Sequence, residues 1–193
     1  DNIGAMGRAS PRRRTHAAPR VSLRPLSAIA AIGAPRWCRW LNTPEVRRHL
    51  ATAGCWTPAR LGEWFQRHRA CPTTRLYAIC QDGRPVGTLK LEHVVPGQWA
   101  NLALMIGMPS VWGRGLGTLA IRLGVALVRR AGGVGVWAGT RAANVASRRA
   151  FAKAGFLELP SEHGVVEMRR PLWARGKLAG LDDLRFPHEE PMP

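Results

Sequence analysis

An apolar run over residues 99–107, a glycine-rich connection over 108–117 and a stretch from 118 to 131 follow one another without interruption. The run is short and bounded by turn residues, which reads as a strand, and its near-continuous apolar character predicts burial on both faces. In the last stretch Leu119, Ile121, Leu123, Val125, Ala126, Leu127 and Val128 describe a well-buried helix, ended by Gly132 and Gly133. A strand delivered through a glycine loop into a helix commits the chain to an α/β architecture. Gly113, Gly115 and Gly117 let successive amide N–H groups converge at the helix N-terminus, where the peptide dipoles also favour an anion. Arg114 adds a cation and Thr118 a hydroxyl in the first turn, so the loop is a candidate phosphate seat that a side chain at Gly115 or Gly117 would block. The competing reading is a tight turn serving close packing. Neither the dinucleotide pattern G-x-G-x-x-G nor the triphosphate pattern G-K-[ST] is present.

Around this unit the pattern predicts a short strand at 21–25 and an apolar-periodic helix over 29–41, weakened by Gly33 and Pro35. Helix starts follow at Asn42-Thr43-Pro44-Glu45 and at Thr57-Pro58, the second running to about Cys71 with Leu61, Trp64, Phe65 and His68 at helical spacing. Residues 75–81 and 85–95 read as strands joined by an Asp82-Gly83 hairpin turn. Beyond 131 the order is strand (134–140), helix (143–154), strand start (156–159) and final strand (165–171). The expected fold is mixed α/β, with a central sheet of six to seven strands flanked by helices.

Net charge is +17 at pH 7. Residues 1–24 contribute +5 and residues 171–193 contribute −1, so +13 belongs to the central segment. That balance suits nucleotides, phosphorylated cofactors, RNA or acidic substrates. Because 26 of the 29 basic residues are Arg, a compositional origin in a GC-rich genome is the alternative. Cys38, Cys55, Cys71 and Cys80 show no C-x-x-C and no His at ligand spacing, which predicts buried reduced thiols, no metal site and a cytoplasmic location. No run reaches the length of apolar residues that a membrane-spanning helix needs. Residues 1–20 read as a tag remnant, with a native start at Met6, followed by a disordered basic arm. Residues 21–171 read as the folded domain and 172–193 as a loosely attached tail.

With these blocks in view, the sequence resembles the GNAT superfamily of N-acetyltransferases, whose signature is [QR]-x-x-G-x-[GA]. Trp112-Gly-Arg-Gly-Leu-Gly aligns with that signature, and Trp112 in place of Gln or Arg is a departure shared with the ribosomal-protein N-acetyltransferase (RimJ/RimL-type) branch. The run from Asn144 to Phe156 looks like that branch's N-x-x-S-x-x-x-x-x-K-x-G-F, and Trp40-Leu-Asn-Thr-Pro-Glu-Val46 looks like its W-x-N-x-P-E-V segment. The resemblance implies acetyl-CoA as cofactor and an amine as acceptor. Met105, Ile106 and Gly107 would then offer backbone groups to the pantetheine arm, and Arg114, Gly115, Leu116, Gly117 and Thr118 would take the pyrophosphate. Asn144 would contact the cofactor or cap its helix, and Arg148 and Arg149 would reach its phosphates. A homodimer and ribosome or nucleic-acid contact through the basic charge fit the same reading.

Transfer of an acyl group from a thioester to an amine needs a neutral amine, an oxyanion stabiliser and a proton for the thiolate. The position of the family's usual Glu is Asn101 here, and that of its usual Tyr is Phe151, so neither supplies acid–base chemistry. Glu92 is the expected base, with His93 as its rival and Ser147 as the candidate donor to the thiolate. Trp37, Trp40 and Trp56 would wall the acceptor pocket. The acceptor reads as a small amine (amino sugar or aminoglycoside) or a protein N-terminus, the basic charge favouring the second or a neutral or anionic amine. The missing Glu and Tyr also leave open a non-catalytic module binding CoA or nucleic acid.

Overall fold

A computed structural model describes residues 20–50, 52–159 and 163–173. The expectations for the N-terminal arm and most of the C-terminal tail concern residues outside this set. Strand β1 (Val21–Pro25) leads through a single 3-10 turn (Ile29–Ala31) into α1 (Ala34–Asn42), α2 (Pro44–Arg47) and α3 (Pro58–Ala70). Then come β2 (Arg75–Gln81), β3 (Arg84–Glu92) and β4 (Trp99–Ile106), followed by α4 (Leu116–Arg130), β5 (Gly135–Arg141), α5 (Val145–Lys153), β6 (Leu157–Leu159) and β7 (Val165–Pro171). Seven strands make one mixed sheet in the order β1-β2-β3-β4-β5-β7-β6, with β4 and β5 the parallel pair and the rest antiparallel.

Local chemistry accounts for most boundaries. Asp82 and Gly83 both take positive φ (48° and 82°), as a two-residue hairpin turn requires, and Gln81 pairs with Arg84 across it. Thr57 caps α3 by accepting the N–H of Arg60, with Pro58 in the first turn where its missing N–H costs nothing. The helix expected over 29–41 is broken in two, because Gly33 adopts φ 86° and Pro35 suits only a first turn. Strand β3 stops at Glu92 and not at residue 95, since His93 turns to φ 55° and leads the chain off the sheet.

Helices cover the sheet on both sides. On one face α4 and α5 bury Leu89, Leu91, Leu102, Ile121, Val128 and Met168. On the other, α1 and α3 bury Trp37, Trp40, Leu61 and Phe65 against Ala78 and Cys80. Each such fully buried aliphatic or aromatic side chain contributes about 1.5–3 kcal/mol of transfer free energy. Strand β4 departs from its expected burial on both faces. Ala100 and Leu102 are buried beneath α4, whereas Ala103 on the opposite face is exposed and Asn101 only half-buried. The helices of the second side pack near β2 and leave this part of β4 uncovered, and the uncovered patch lies beside the site described next.

Of the cysteines, Cys38 and Cys80 are buried, Cys71 is half-buried and Cys55 is exposed, so burial holds for two of the four. All four are free thiols. Among the described residues no helix is long and apolar enough to cross a membrane.

Candidate active site

The parallel pairing of β4 with β5 is confined to Trp99–Asn101 against Gly135–Trp137. Beyond it β4 remains paired with β3 as far as Ile106, and β5 with β7 as far as Arg141. The two strands therefore diverge into a wedge whose β4 edge has no strand partner. Which backbone groups line that edge follows from one hydrogen bond, Gly107 N–H to Val86 O at 2.8 Å. In an antiparallel ladder a residue's N–H and C=O point to the same neighbour and alternate along the strand. Gly107 and Met105 thus direct their backbone groups to β3, whereas Leu104 and Ile106 direct theirs into the wedge and the Leu102 N–H closes the last rung of the parallel pairing at Trp137. Of the three residues expected there, Ile106 has this orientation and Met105 and Gly107 do not, and Leu104 shares it with Ile106. Strand parity relative to β3 carries that information, and the sequence does not display it.

The Ile106 carbonyl is already engaged, for it accepts the indole N–H of Trp112 at 2.9 Å. The residue standing in place of the signature's Gln or Arg therefore ties the root of the loop to the end of β4. Gly107 explains its own identity, since a Cβ there would lie 2.3 Å from Cγ of Trp40.

Gly113 and Gly115 take φ 75° and 78°, and Gly115 is the N-cap of α4 with no side-chain cap. The first helical bond is Leu119 N–H to Gly115 O, which leaves the N–H groups of Leu116, Gly117 and Thr118 unpaired at the positive end of the helix dipole. A Cβ on Gly115 would meet nothing within 4 Å, so the loop opens onto free space suited to an anion. A Cβ on Gly117 would instead make ordinary contacts with Ala150 and Leu104, at 3.8 and 3.9 Å, and so points away from the concavity. Thr118 donates its hydroxyl to the Ala150 carbonyl at 3.4 Å, binding α4 to α5, so only its backbone faces the loop. Arg114 is exposed beside the loop.

Asn144 caps α5 by accepting the N–H of Ser147 at 3.1 Å, and its side-chain amide N–H groups keep no partner among the described residues. Arg149 is exposed. Arg148, by contrast, makes a bidentate pair with Glu158 (3.0 and 2.6 Å) and donates to the Ala142 carbonyl. Ser147 lies half-buried in the first turn of α5. Phe151 is core, edge-on to Phe156 at 5.0 Å.

On the uncovered face, Glu92 stands directly opposite Asn101 in the β3–β4 register. Its carboxylate meets Lys90 Nζ at 2.8 Å and His68 Nε2 at 3.6 Å. His68 Nδ1 sits 2.8 Å from the Trp64 carbonyl, and a carbonyl only accepts, so Nδ1 carries the proton and Nε2 presents its lone pair to Lys90 Nζ at 3.2 Å. Burial pushes the His68 imidazole below its ordinary value, with Lys90 adding to the effect and the Trp64 and Glu92 contacts opposing it. His68 is therefore neutral at pH 7. Helical spacing placed it on α3, yet nothing in the sequence joined it to a strand more than twenty positions away.

A cleft of about 220 Å³ adjoins this trio, lined by Arg67, His68, Cys71, Thr73, Glu92 and His93 among others. His93 is exposed on it and has no bond to Glu92 among the described residues. Trp37, Trp40 and Trp56 are instead buried in the second core, Trp37 edge-on to Trp64 at 5.7 Å and Trp56 to the same ring at 6.4 Å. They form packing aromatics and not an open acceptor wall.

A parallel strand pair that splays beside an uncapped helix N-terminus leaves free backbone groups facing one wedge and an anion-favouring amide cluster at its root. The acetyltransferase (GNAT) domain family matches residues 20–157, and the chain belongs to that family. It is an acyl-CoA-dependent acetyltransferase whose cofactor is acetyl-CoA. Three solved structures share the fold. The spermidine N-acetyltransferase of Vibrio cholerae, in complex with CoA and spermine, is 14% identical over 78% of this chain and 95% of its own, with a TM-score of 0.67. Mycobacterium smegmatis RimJ, in complex with CoA-disulfide, is 20% identical over 79% and 82%, with a TM-score of 0.67. The aminoglycoside acetyltransferase AAC(6')-Ib, in complex with coenzyme A, is 19% identical over 79% and 95%, with a TM-score of 0.66. No curated protein matches the chain in sequence.

Proposed function

We propose that this protein transfers the acetyl group of acetyl-CoA to a primary amine by direct attack in a ternary complex, with Glu92 as general base. The observation that carries this reading is the place of Glu92, opposite Asn101 on the uncovered face of β4. A carboxylate on the neighbouring strand there takes over from the one that Asn101 lacks. Acetyl-CoA supplies the activated thioester. The chain's contribution is to hold it, through the inward backbone groups of Leu104 and the N–H of Ile106, the free amides of Leu116, Gly117 and Thr118, and Arg114, Arg149 and Asn144 at the margins.

An alkylamine is protonated at neutral pH and must lose a proton to become nucleophilic. Glu92 accepts that proton through a water that Asn101 orients, while Lys90, steadied by donating to the neutral His68 Nε2, holds the carboxylate in place. The Ser147 hydroxyl, in the first turn of α5, returns a proton to the departing thiolate, because Phe151 has none to give.

For the acceptor, the charge of the chain favours a neutral or anionic amine, such as the N-terminus of a protein, over a polycation like spermine or an aminoglycoside. The test is a panel of amines (amino sugars, aminoglycosides, polyamines and N-terminal peptides of varied charge) with release of CoA thiol as readout. Turnover greatest with acidic or neutral N-terminal peptides supports the reading. Turnover greatest with polycations overturns the acceptor class, and no turnover with any amine overturns the activity.

A further inference from the structure

The cleft of about 330 Å³ between the C-terminal halves of α4 and α5 carries a chemistry that acetyl transfer does not use. Arg122 and Arg129 from α4, Lys153 from the end of α5 and Arg170 from β7 all line it, with Val125 and Gly155 between them. Four cations converge, and no carboxylate pairs with any of them among the described residues. The ion pairs recorded there involve Lys90, Arg148, Arg169 and His68.

Two of the guanidinium groups are held by backbone. Arg122 donates to the Lys153 carbonyl at 2.7 Å, and Arg170 donates to the Ala154 carbonyl. These carbonyls lie at the C-terminus of α5, where the helix dipole favours cations, and this accounts for one N–H of each side chain. A guanidinium has five N–H donors, so most remain for an anion. Arg129 and Lys153 reach the cleft with no side-chain partner of their own among the described residues. Burial and then the neighbouring Arg129 and Arg122 all disfavour the charged form of Arg170, so the cluster is electrostatically unfavourable as it stands. An anion reverses that penalty, and planar guanidinium pairs match phosphate oxygens in two-point geometry.

We propose that this cleft is a phosphate-binding site separate from the cofactor seat. Along α4, Arg122 and Arg129 lie about 9 Å and about 20 Å beyond the helix N-terminus where the pyrophosphate is held. Phosphate from either of two sources satisfies the site, namely free polyphosphate or the phosphodiester backbone of a nucleic acid. The inference is independent of which amine is acetylated.

The test uses the full chain and the double variant Arg129→Gln/Arg170→Gln, titrated with inorganic pyrophosphate by calorimetry and with a short labelled oligouridine by fluorescence anisotropy. The expected result is a loss of about tenfold or more in affinity for at least one of these probes. Acetyl-CoA affinity and CoA release should stay within about twofold. Loss for pyrophosphate alone assigns free polyphosphate. Loss for the oligonucleotide, with a shallower dependence of affinity on salt, assigns nucleic acid. If the Gln pair fails to fold, Arg129→Lys/Arg170→Lys keeps the charge and removes the two-point geometry, and should lose affinity for the same probe. Unchanged affinity for both probes in a folded variant overturns the site. So does an equal loss of acetyl-CoA binding, which would make the cleft an extension of the cofactor seat.

Discussion

Glu92 and Asn101 face each other across β3 and β4, a strand-to-strand pair at the margin of α3 where β4 is left open. If the carboxylate takes the amine's proton, Glu92→Gln should lower kcat by about a hundredfold or more with little change in acetyl-CoA affinity. Steady-state kinetics beside calorimetry separates the two effects. An equal fall in cofactor binding would count against the assignment.

His68 sets the acid side of the pH profile. Its native pKa lies below its unfolded value of 6.5, so as pH falls through this window the unfolded chain takes up the proton first. The stability associated with neutral His68 is thus present above 6.5 and lost towards the lowered native value. Protonated His68 also competes for the Glu92 carboxylate, so kcat/KM should fall on an acid limb below pH 6.5. In His68→Gln the midpoint of that limb should shift while acetyl-CoA still binds. A limb unchanged in the variant would remove His68 from the mechanism.

Gly115 and Gly117 should respond differently to the same change. Gly115→Ala puts a Cβ on a residue at φ 78°, at a cost of about 1–2 kcal/mol, and into the open space beside the free amides of α4. Weaker acetyl-CoA binding by about tenfold is expected. Gly117→Ala adds only ordinary contacts with Ala150 and Leu104, and its stability and affinity should stay near those of the parent. Thermal unfolding with and without acetyl-CoA reads both.

Trp112→Phe keeps the ring and deletes the donor to the Ile106 carbonyl. The expected loss is about 0.5–1.5 kcal/mol of stability, at the low end because Trp112 is 39% exposed, together with weaker acetyl-CoA binding. Unaltered affinity would show that the loop root needs no such tie.

Cys71 is the thiol to watch in labelling experiments. Hydrogen bonds from Thr73 and then Thr74 bring its pKa down to about 7. Its alkylation rate, followed by site-resolved mass spectrometry, should rise to half its maximum near pH 7, while buried Cys38 and Cys80 stay protected. A midpoint above pH 8 would contradict the hydrogen-bonded thiolate.

Much of this molecule was legible in its residues. The Asp82-Gly83 turn, the Thr57-Pro58 helix start and the apolar face of α4 each rest on neighbouring side chains, which a linear reading sees. What escaped depends on partners distant in sequence. His68 joins Glu92 only because α3 packs across β3, and Arg148 pairs with Glu158 only because β6 returns past α5. The parity that turns Met105 and Gly107 away from the wedge is set by Val86. The tryptophans of the early helices read as a ligand wall because aromatic composition does not distinguish a core from a pocket.

Met108, at the root of the glycine loop, packs against both hydrophobic cores, one on each side of the sheet. The two halves of the protein therefore meet at the root of the glycine loop, and neither melts without disturbing that joint. Heat should unfold the described domain in a single cooperative step, and saturating acetyl-CoA should raise the whole transition together instead of splitting it.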